Sequence, residues 1–439
     1  MRSDSSAIYK KGAIALLFPV SVGLIFGARA CLRYQLRSSE RAAVQRELDM
    51  RREIEELGVE IDQRERAERR AGRPARRESG IGARSAELPA PASQPTREVA
   101  TGQGQPDAIV ADRTHVYWVN TIAGELVAAA RATGSDADAG AAPEPKVLAR
   151  ELPLLSPRHA PTLAHDDTHL YFVTSGTREG RGDDGAVMKL PKKGGTPVTL
   201  ASGQPSPNAI AVRGNTVVWV RNAPKTDALP MPRPDAARAG GPDAGEDGGE
   251  AAVVRASTAG AKATVLATAK RPCGLALDDT HAYFIEQTKP AGVVRVPLRG
   301  GAKERIVTSG GSLGCALAVT KDRVFWTIPN DDTVMTATKD GSETDVFAFV
   351  KSRPAALVAT ERALFVLAEA TPHALTDAGT LYEVPFEEAS SPRVLATDQP
   401  GPNGLTVLGN DVFFTSWSQE NEDGQVRALL RTAALGSPN

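Results

Sequence analysis

Three side-chain oxygens recur at one place in this chain. Asp107, Asn208 and Asn403 each follow a proline and precede a small residue, in Pro106-Asp107-Ala108, Pro207-Asn208-Ala209 and Pro402-Asn403-Gly404. Carboxylate and amide oxygens are the donors that hard cations such as Ca²⁺ prefer, so a ring of them is a candidate ligand or divalent-cation site. Asn and Asp also tolerate turn geometry, which would place them there for a structural reason. The chain has six histidines. His115, His169 and His281 each end an Asp/Arg-Thr-His stretch, and this repetition marks them as turn residues. His159 and His165 are left as candidate ligand or acid–base contacts. No Gly-x-Ser-x-Gly, His-Glu-x-x-His or P-loop stretch occurs, so no residue is assigned a catalytic role. Cys31, Cys273 and Cys315 contain no Cys-x-x-Cys pair, which argues against a zinc ribbon or a dithiol redox motif.

The elements that must position these residues are visible as a repeat. A proline, a variable residue, a small residue and an apolar run lead through four turn-like residues to an apolar-aromatic triplet. This unit occurs seven times, and the triplet position is filled by Trp118, Phe172, Trp219, Phe284, Trp326, Val366 and Phe414. The intervals run from 40 to 65 residues, against about 40–50 for a four-stranded propeller blade. The two longest intervals contain Gly-, Ala-, Pro- and Asp-rich insertions near 134–144 and 223–250, which cannot supply core. Later in each unit come two further strand-like runs, such as Val293–Pro297 and Glu304–Val307, joined by Gly-rich turns. The pattern predicts an all-β fold, a seven-bladed β-propeller over residues 96–436. Arg97-Glu98-Val99-Ala100-Thr101 matches the text of a fourth strand, so the N-terminal strand is expected to close the last blade.

This frame places the variable residue of each unit at one mouth of the channel. The ring reads Asp107, Asn208, Cys273, Cys315, Ala355 and Asn403, with Pro161 in the second blade. Cys273 and Cys315 fall in adjacent blades. If the innermost strands begin roughly 7 Å from the axis, neighbouring Cα atoms lie about 6 Å apart, within disulfide range. A disulfide there would fit an oxidising compartment; two small buried thiols are the alternative.

The blades resemble known propeller families. Tyr117-Trp118-Val119-Asn120 and Phe325-Trp326-Thr327 resemble YWTD-type blades, and the general blade form is similar to streptogramin-lyase-like propellers. Pro402-Asn403-Gly404-Leu405 resembles the turn of gluconolactonase-like propellers, which implies that Asn403 helps hold a divalent metal over the channel. No further acidic ligand of that family is placed, and no single family's full motif set is present.

The first hundred residues read differently. After a tail of residues 1–11, which ends in Lys10 and Lys11, residues 12–30 carry an apolar run from Gly12 to Ala28. Its length lies between a signal-peptide core and a bilayer span, so a transmembrane anchor, a cleaved signal and a buried helix stay open. Residues 33–77 interleave charges of both signs over an apolar seam at Ala43, Met50, Ile54, Leu57 and Ile61, a pattern for a helical or coiled-coil spacer able to self-associate. Residues 78–95 form a flexible linker. The formal net charge of −1 gives no electrostatic reason to expect nucleic acid. The expectation is a membrane-tethered, extracytoplasmic, non-catalytic binding module for a protein or polymer of the cell envelope, with the channel mouth as its contact surface and no cofactor. A secreted form and a metal-dependent lactonase- or lyase-like hydrolase are the alternatives.

Overall fold

The computed structural model describes residues 96–131, 144–154, 161–174, 184–223, 250–260, 262–369, 378–388, 392–418 and 423–430. The expected tail, anchor, spacer and linker, both insertions apart from their end residues, and His159 lie outside them. The described residues form seven four-stranded antiparallel sheets, the blades of a β-propeller. Among them there is no α-helix, and none long and apolar enough to cross a membrane.

Each blade begins with an innermost strand beside the channel. These are Pro106–Ala111, Leu163–His165, Pro207–Arg213, Pro272–Leu277, Leu317–Val319, Arg353–Ala359 and Pro402–Leu408 for blades 1 to 7. Proline suits the first position of a strand, where no ladder donor is lost. In blades 1, 3, 4 and 7 the residue before it takes a positive φ: Gln105 at 55°, Ser206 at 39°, Arg271 at 46° and Gly401 at 42°. That left-handed step turns the chain from the outer rim of one blade into the channel of the next. All innermost strands therefore start at one end of the channel, the entry end, and turn back at the other, the turn end.

The second strand of each blade is the apolar-aromatic triplet, and it is buried on both faces. Trp118 packs toward blade 7 with Phe413, while Tyr117 and Val119 pack toward blade 2 with Leu170 and Phe172. Among the described residues every apolar cluster spans two neighbouring blades in this way, one for each of the seven interfaces. This explains why the strands read as unbroken apolar runs rather than alternating ones. Burial of a large apolar side chain contributes roughly 1.5–3 kcal/mol, so the seven interfaces carry the fold.

The ring closes through the N-terminal strand. Arg97–Gln103 lies antiparallel to Asp423–Leu429 as the outermost strand of blade 7, with Arg97 opposite Ala428 and Gln103 opposite Gly424. Gln103 also reaches the next blade, where its Oε1 accepts from Trp118 Nε1 at 3.1 Å and Asn120 Nδ2 at 3.0 Å.

Candidate functional site

The entry end is a set of joints between blades. Asp107 is 1% exposed and Asn403 6%, and both lie within strands rather than in the preceding turns. Turn tolerance therefore does not explain them; the positive-φ residues stand one place before the proline. Thr415 Oγ1 accepts from Gly404 N at 2.7 Å and donates to Asp107 O at 2.8 Å, so one hydroxyl links blades 7 and 1. A Cβ at Gly404 would lie 2.3 Å from Asp107 O, and one at Gly274 would lie 2.3 Å from Cys315 O. The small residue of the repeat is there to let neighbouring innermost strands approach. Asn208 Nδ2 donates to Pro272 O at 3.2 Å, joining blades 3 and 4, and Ile210 N donates to Pro161 O at 2.7 Å, joining blades 3 and 2. Cys273 and Cys315 are disulfide-bonded across blades 4 and 5 with Cα atoms 5.3 Å apart. Gln287 Nε2 donates to Leu313 O at 2.7 Å beside both sulfurs.

As a candidate cation site the ring is poor in charge. Ca²⁺ takes about six to eight oxygens, and the ring offers one carboxylate, Asp107. Asn208 donates its Nδ2 to the neighbouring backbone, while its Oδ1 is buried with no hydrogen-bond donor among the described residues. Among the described residues no three His, Cys, Asp or Glu side chains are gathered to hold a metal. The metal role of Asn403 remains what the resemblance implies.

His165 is not part of that ring. It is the last residue of its innermost strand and so lies at the turn end, opposite Asp107, Asn208 and Asn403. Its Nδ1 is 3.2 Å from Lys192 Nζ, which donates to Asp112 Oδ2 at 2.7 Å.

The turn end is organised by a motif centred on aspartate. In blades 1, 2 and 4 the sequence Asp-x-Thr-His-x-Tyr closes the first turn, at Asp112, Asp166 and Asp278. Asp278 Oδ1 accepts from Thr280 N, Thr280 Oγ1 and His281 N, all at 2.8 Å, while Oδ2 accepts from Tyr283 OH and Lys339 Nζ, both at 2.7 Å. The histidines pair through Nδ1 with their neighbouring threonine hydroxyls, in keeping with a turn role. Burial pushes these carboxyls up, but the bonds they accept outweigh it. Asp166 is held at about 2, and Asp112 and Asp278 lie well below the usual carboxylate range. Burial, with the adjacent carboxylate, raises Tyr117, Tyr171 and Tyr283.

In blades 1, 2 and 5 the residue just after the third strand reaches back to this turn in the preceding blade. Lys192 of blade 2 meets Asp112 of blade 1, and Lys339 of blade 5 meets Asp278 of blade 4, each at 2.7 Å. Arg131 of blade 1 meets Asp411 of blade 7 at 2.6 Å. Each cation also lies over a ring, of Tyr117, Tyr283 and Phe413 respectively.

Between blades 5 and 6 this ionic joint is replaced. Thr320 stands in place of the aspartate, Phe325 in place of the tyrosine and Phe386 in place of the cation. Phe325 stacks on Phe386 with centroids 5.6 Å apart, and Phe347 meets Phe325 edge-on at 4.9 Å. These rings line a groove of about 1180 Å³ at the turn end. Arg213, Asp279, Lys321, Asp345 and Glu361 bring both signs of charge to its walls. Sequence reasoning missed this groove. Its signal was the residue following the third strand, which is basic in Arg131, Lys192 and Lys339, aromatic in Phe386, and Thr258, Leu298 and Leu430 in the remaining blades.

No protein-family model and no curated protein sequence matches the chain. Among solved structures it is similar to a chain of a nidogen/laminin complex, with a TM-score of 0.43 and 14% identity over 65% of this chain and 94% of the other. It is also similar to the computationally designed Ika8 protein, with a TM-score of 0.45 and 12% identity over 75% of this chain and 98% of the other.

Proposed function

We propose that this chain is a partner-binding propeller, held at a membrane by its N-terminal apolar run and displayed outside the cytoplasm. Its ligand is a protein or polymer of the cell envelope, taken in the groove at the turn end. The observation that carries this reading is the replacement of an ionic joint by the Phe325–Phe347–Phe386 cluster. Aromatic surface surrounded by charges of both signs is the arrangement of an interface hot spot with a polar rim. At the entry end, the first candidate from the sequence, the Thr415 hydroxyl, the Asn208 Nδ2 and the disulfide join neighbouring blades, which favours the opposite end as the exposed contact surface. The Cys273–Cys315 disulfide supports the extracytoplasmic placement, because such bonds persist in oxidising compartments.

Affinity capture from native envelope tests the placement. A ligand retained by the parent should be lost with Phe347→Ser and kept with Asn208→Ala. Loss with Asn208→Ala alone would return the site to the entry end.

A further inference from the structure

The three ionic joints at the turn end share a cation and a carboxylate, but one residue beside them differs. Strand register puts Ala111, His165 and Val319 at one position, opposite Val116, Leu170 and Val324 in their own blades. The blades that supply Arg131, Lys192 and Lys339 therefore carry an alanine, a histidine and a valine at the same place. Of these only the imidazole can change charge. Its Nδ1 has two neighbours that require opposite protonation states. Lys192 Nζ, 3.2 Å away, is a donor and needs a bare ring nitrogen. Asp166 O, 3.1 Å away, is an acceptor and needs an N–H. A neutral ring with its proton on Nε2 satisfies the lysine. An imidazolium can satisfy only the carbonyl, and it sets a second positive charge against the ammonium.

We propose that His165 makes the joint between blades 1 and 2 an acid-released latch. On taking a proton, its Nδ1 passes from Lys192 to Asp166 O, and Lys192 withdraws from Asp112. Imidazole is the side chain that ordinarily takes up a proton between about pH 5 and pH 8. The partners of Lys192 hold their charge over that range. Burial works against the Asp112 carboxylate, but the bonds from Lys192, Thr114 and His115 keep it well below the usual carboxylate range, and burial raises Tyr117. The other charged groups on the elements around His165 are engaged or turned to solvent. The Asp166 carboxylate accepts from Thr168, His169 N and Tyr171 OH. His115 and His169 pair with threonine hydroxyls. Arg213, at the end of the innermost strand of blade 3, is held by Asp279 of blade 4. Arg113, Asp167 and Lys193 are exposed. What the latch contributes to stability is present at high pH and lost as the pH falls through the titration of His165. Acid thus loosens the ring at one interface and leaves the Arg131 and Lys339 joints closed. The inference is independent of what the groove binds.

Double-mutant cycles on the full chain in detergent read the latch. The coupling between Asp112→Asn and Lys192→Met, taken from urea midpoints, should fall about twofold or more from about pH 8 to about pH 5. In a His165→Val background, which reproduces the valine of the Lys339 joint, that coupling should be the same at both values. So should the coupling between Asp278→Asn and Lys339→Met in the parent. A second reading leaves the joint intact. Competitive acylation of lysines, resolved by peptide mass analysis, should label Lys192 several-fold more, relative to Lys339, at the lower pH, and His165→Val should remove the change. An unchanged Lys192–Asp112 coupling, an equal fall in the His165→Val chain, or a constant ratio of Lys192 to Lys339 labelling would each overturn the proposal.

Discussion

Asp278 gathers five hydrogen bonds, one of them from Lys339 of the next blade, and so sets both a turn and a joint between blades. A carboxyl held low in the folded chain stabilises it above the unfolded value of about 4, and that contribution is lost as the pH falls through the folded value. The parent should accordingly lose stability between about pH 4 and pH 2, the window set by Asp166 at about 2. Replacing Asp112, Asp166 and Asp278 together by Asn should flatten that loss, read from urea midpoints against pH; an unchanged slope would remove these turns from the acid response. Tryptophans make a second residue-scale comparison. Trp219 Nε1 donates to Gln204 Oε1 at 3.0 Å, whereas Trp326 Nε1 is buried with no acceptor among the described residues. Both lie in equivalent core positions, so the packing cost of Trp→Phe is shared. Trp219→Phe should cost about 1 kcal/mol more than Trp326→Phe, the net worth of one hydrogen bond. Equal costs in denaturant unfolding would show the Gln204 contact to be idle.

At the scale of elements, the closing strand carries the clearest expectation. Without Arg97–Gln103, blade 7 loses its outer strand, the Asp423–Leu429 edge opens, and Trp118 and Asn120 lose their shared acceptor. Deleting residues 1–90 should leave the melting temperature of the propeller unchanged, while deleting residues 1–103 should cause aggregation or a large fall in it. Like behaviour of the two truncations would contradict closure. This strand was legible in the sequence because Arg97–Thr101 repeats the text of other outer strands. The second strands were legible for a different reason: burial on both faces demands an unbroken apolar triplet, and that survives divergence. The roles of Asn208 and Asp107 were not legible, because they depend on which backbone atom of the neighbouring blade lies opposite. Which end His165 occupies was not legible, because its short innermost strand runs from one mouth to the other within a few residues. The groove was hidden for a related reason: it arises where Thr320, Phe325 and Phe386 depart from the ionic pattern, and the aspartate-centred pattern itself had not been recognised.

Across the whole molecule, the two ends of the channel divide the work. At the entry end, backbone contacts, the Thr415 relay, the Asn208 amide and a disulfide tie neighbouring blades together. At the turn end, ionic joints hold three interfaces and an aromatic cluster holds a fourth, leaving apolar surface in an open groove. Fold alone does not assign a function, so the account rests on that groove. Its most direct test is site-specific photo-cross-linking in native envelope, with the reactive residue at Lys321 on the groove or at Arg271, an exposed residue of the entry end. The account predicts a discrete adduct from Lys321, reduced by Phe347→Ser, and none from Arg271. A discrete adduct from Arg271 with none from Lys321 would contradict it.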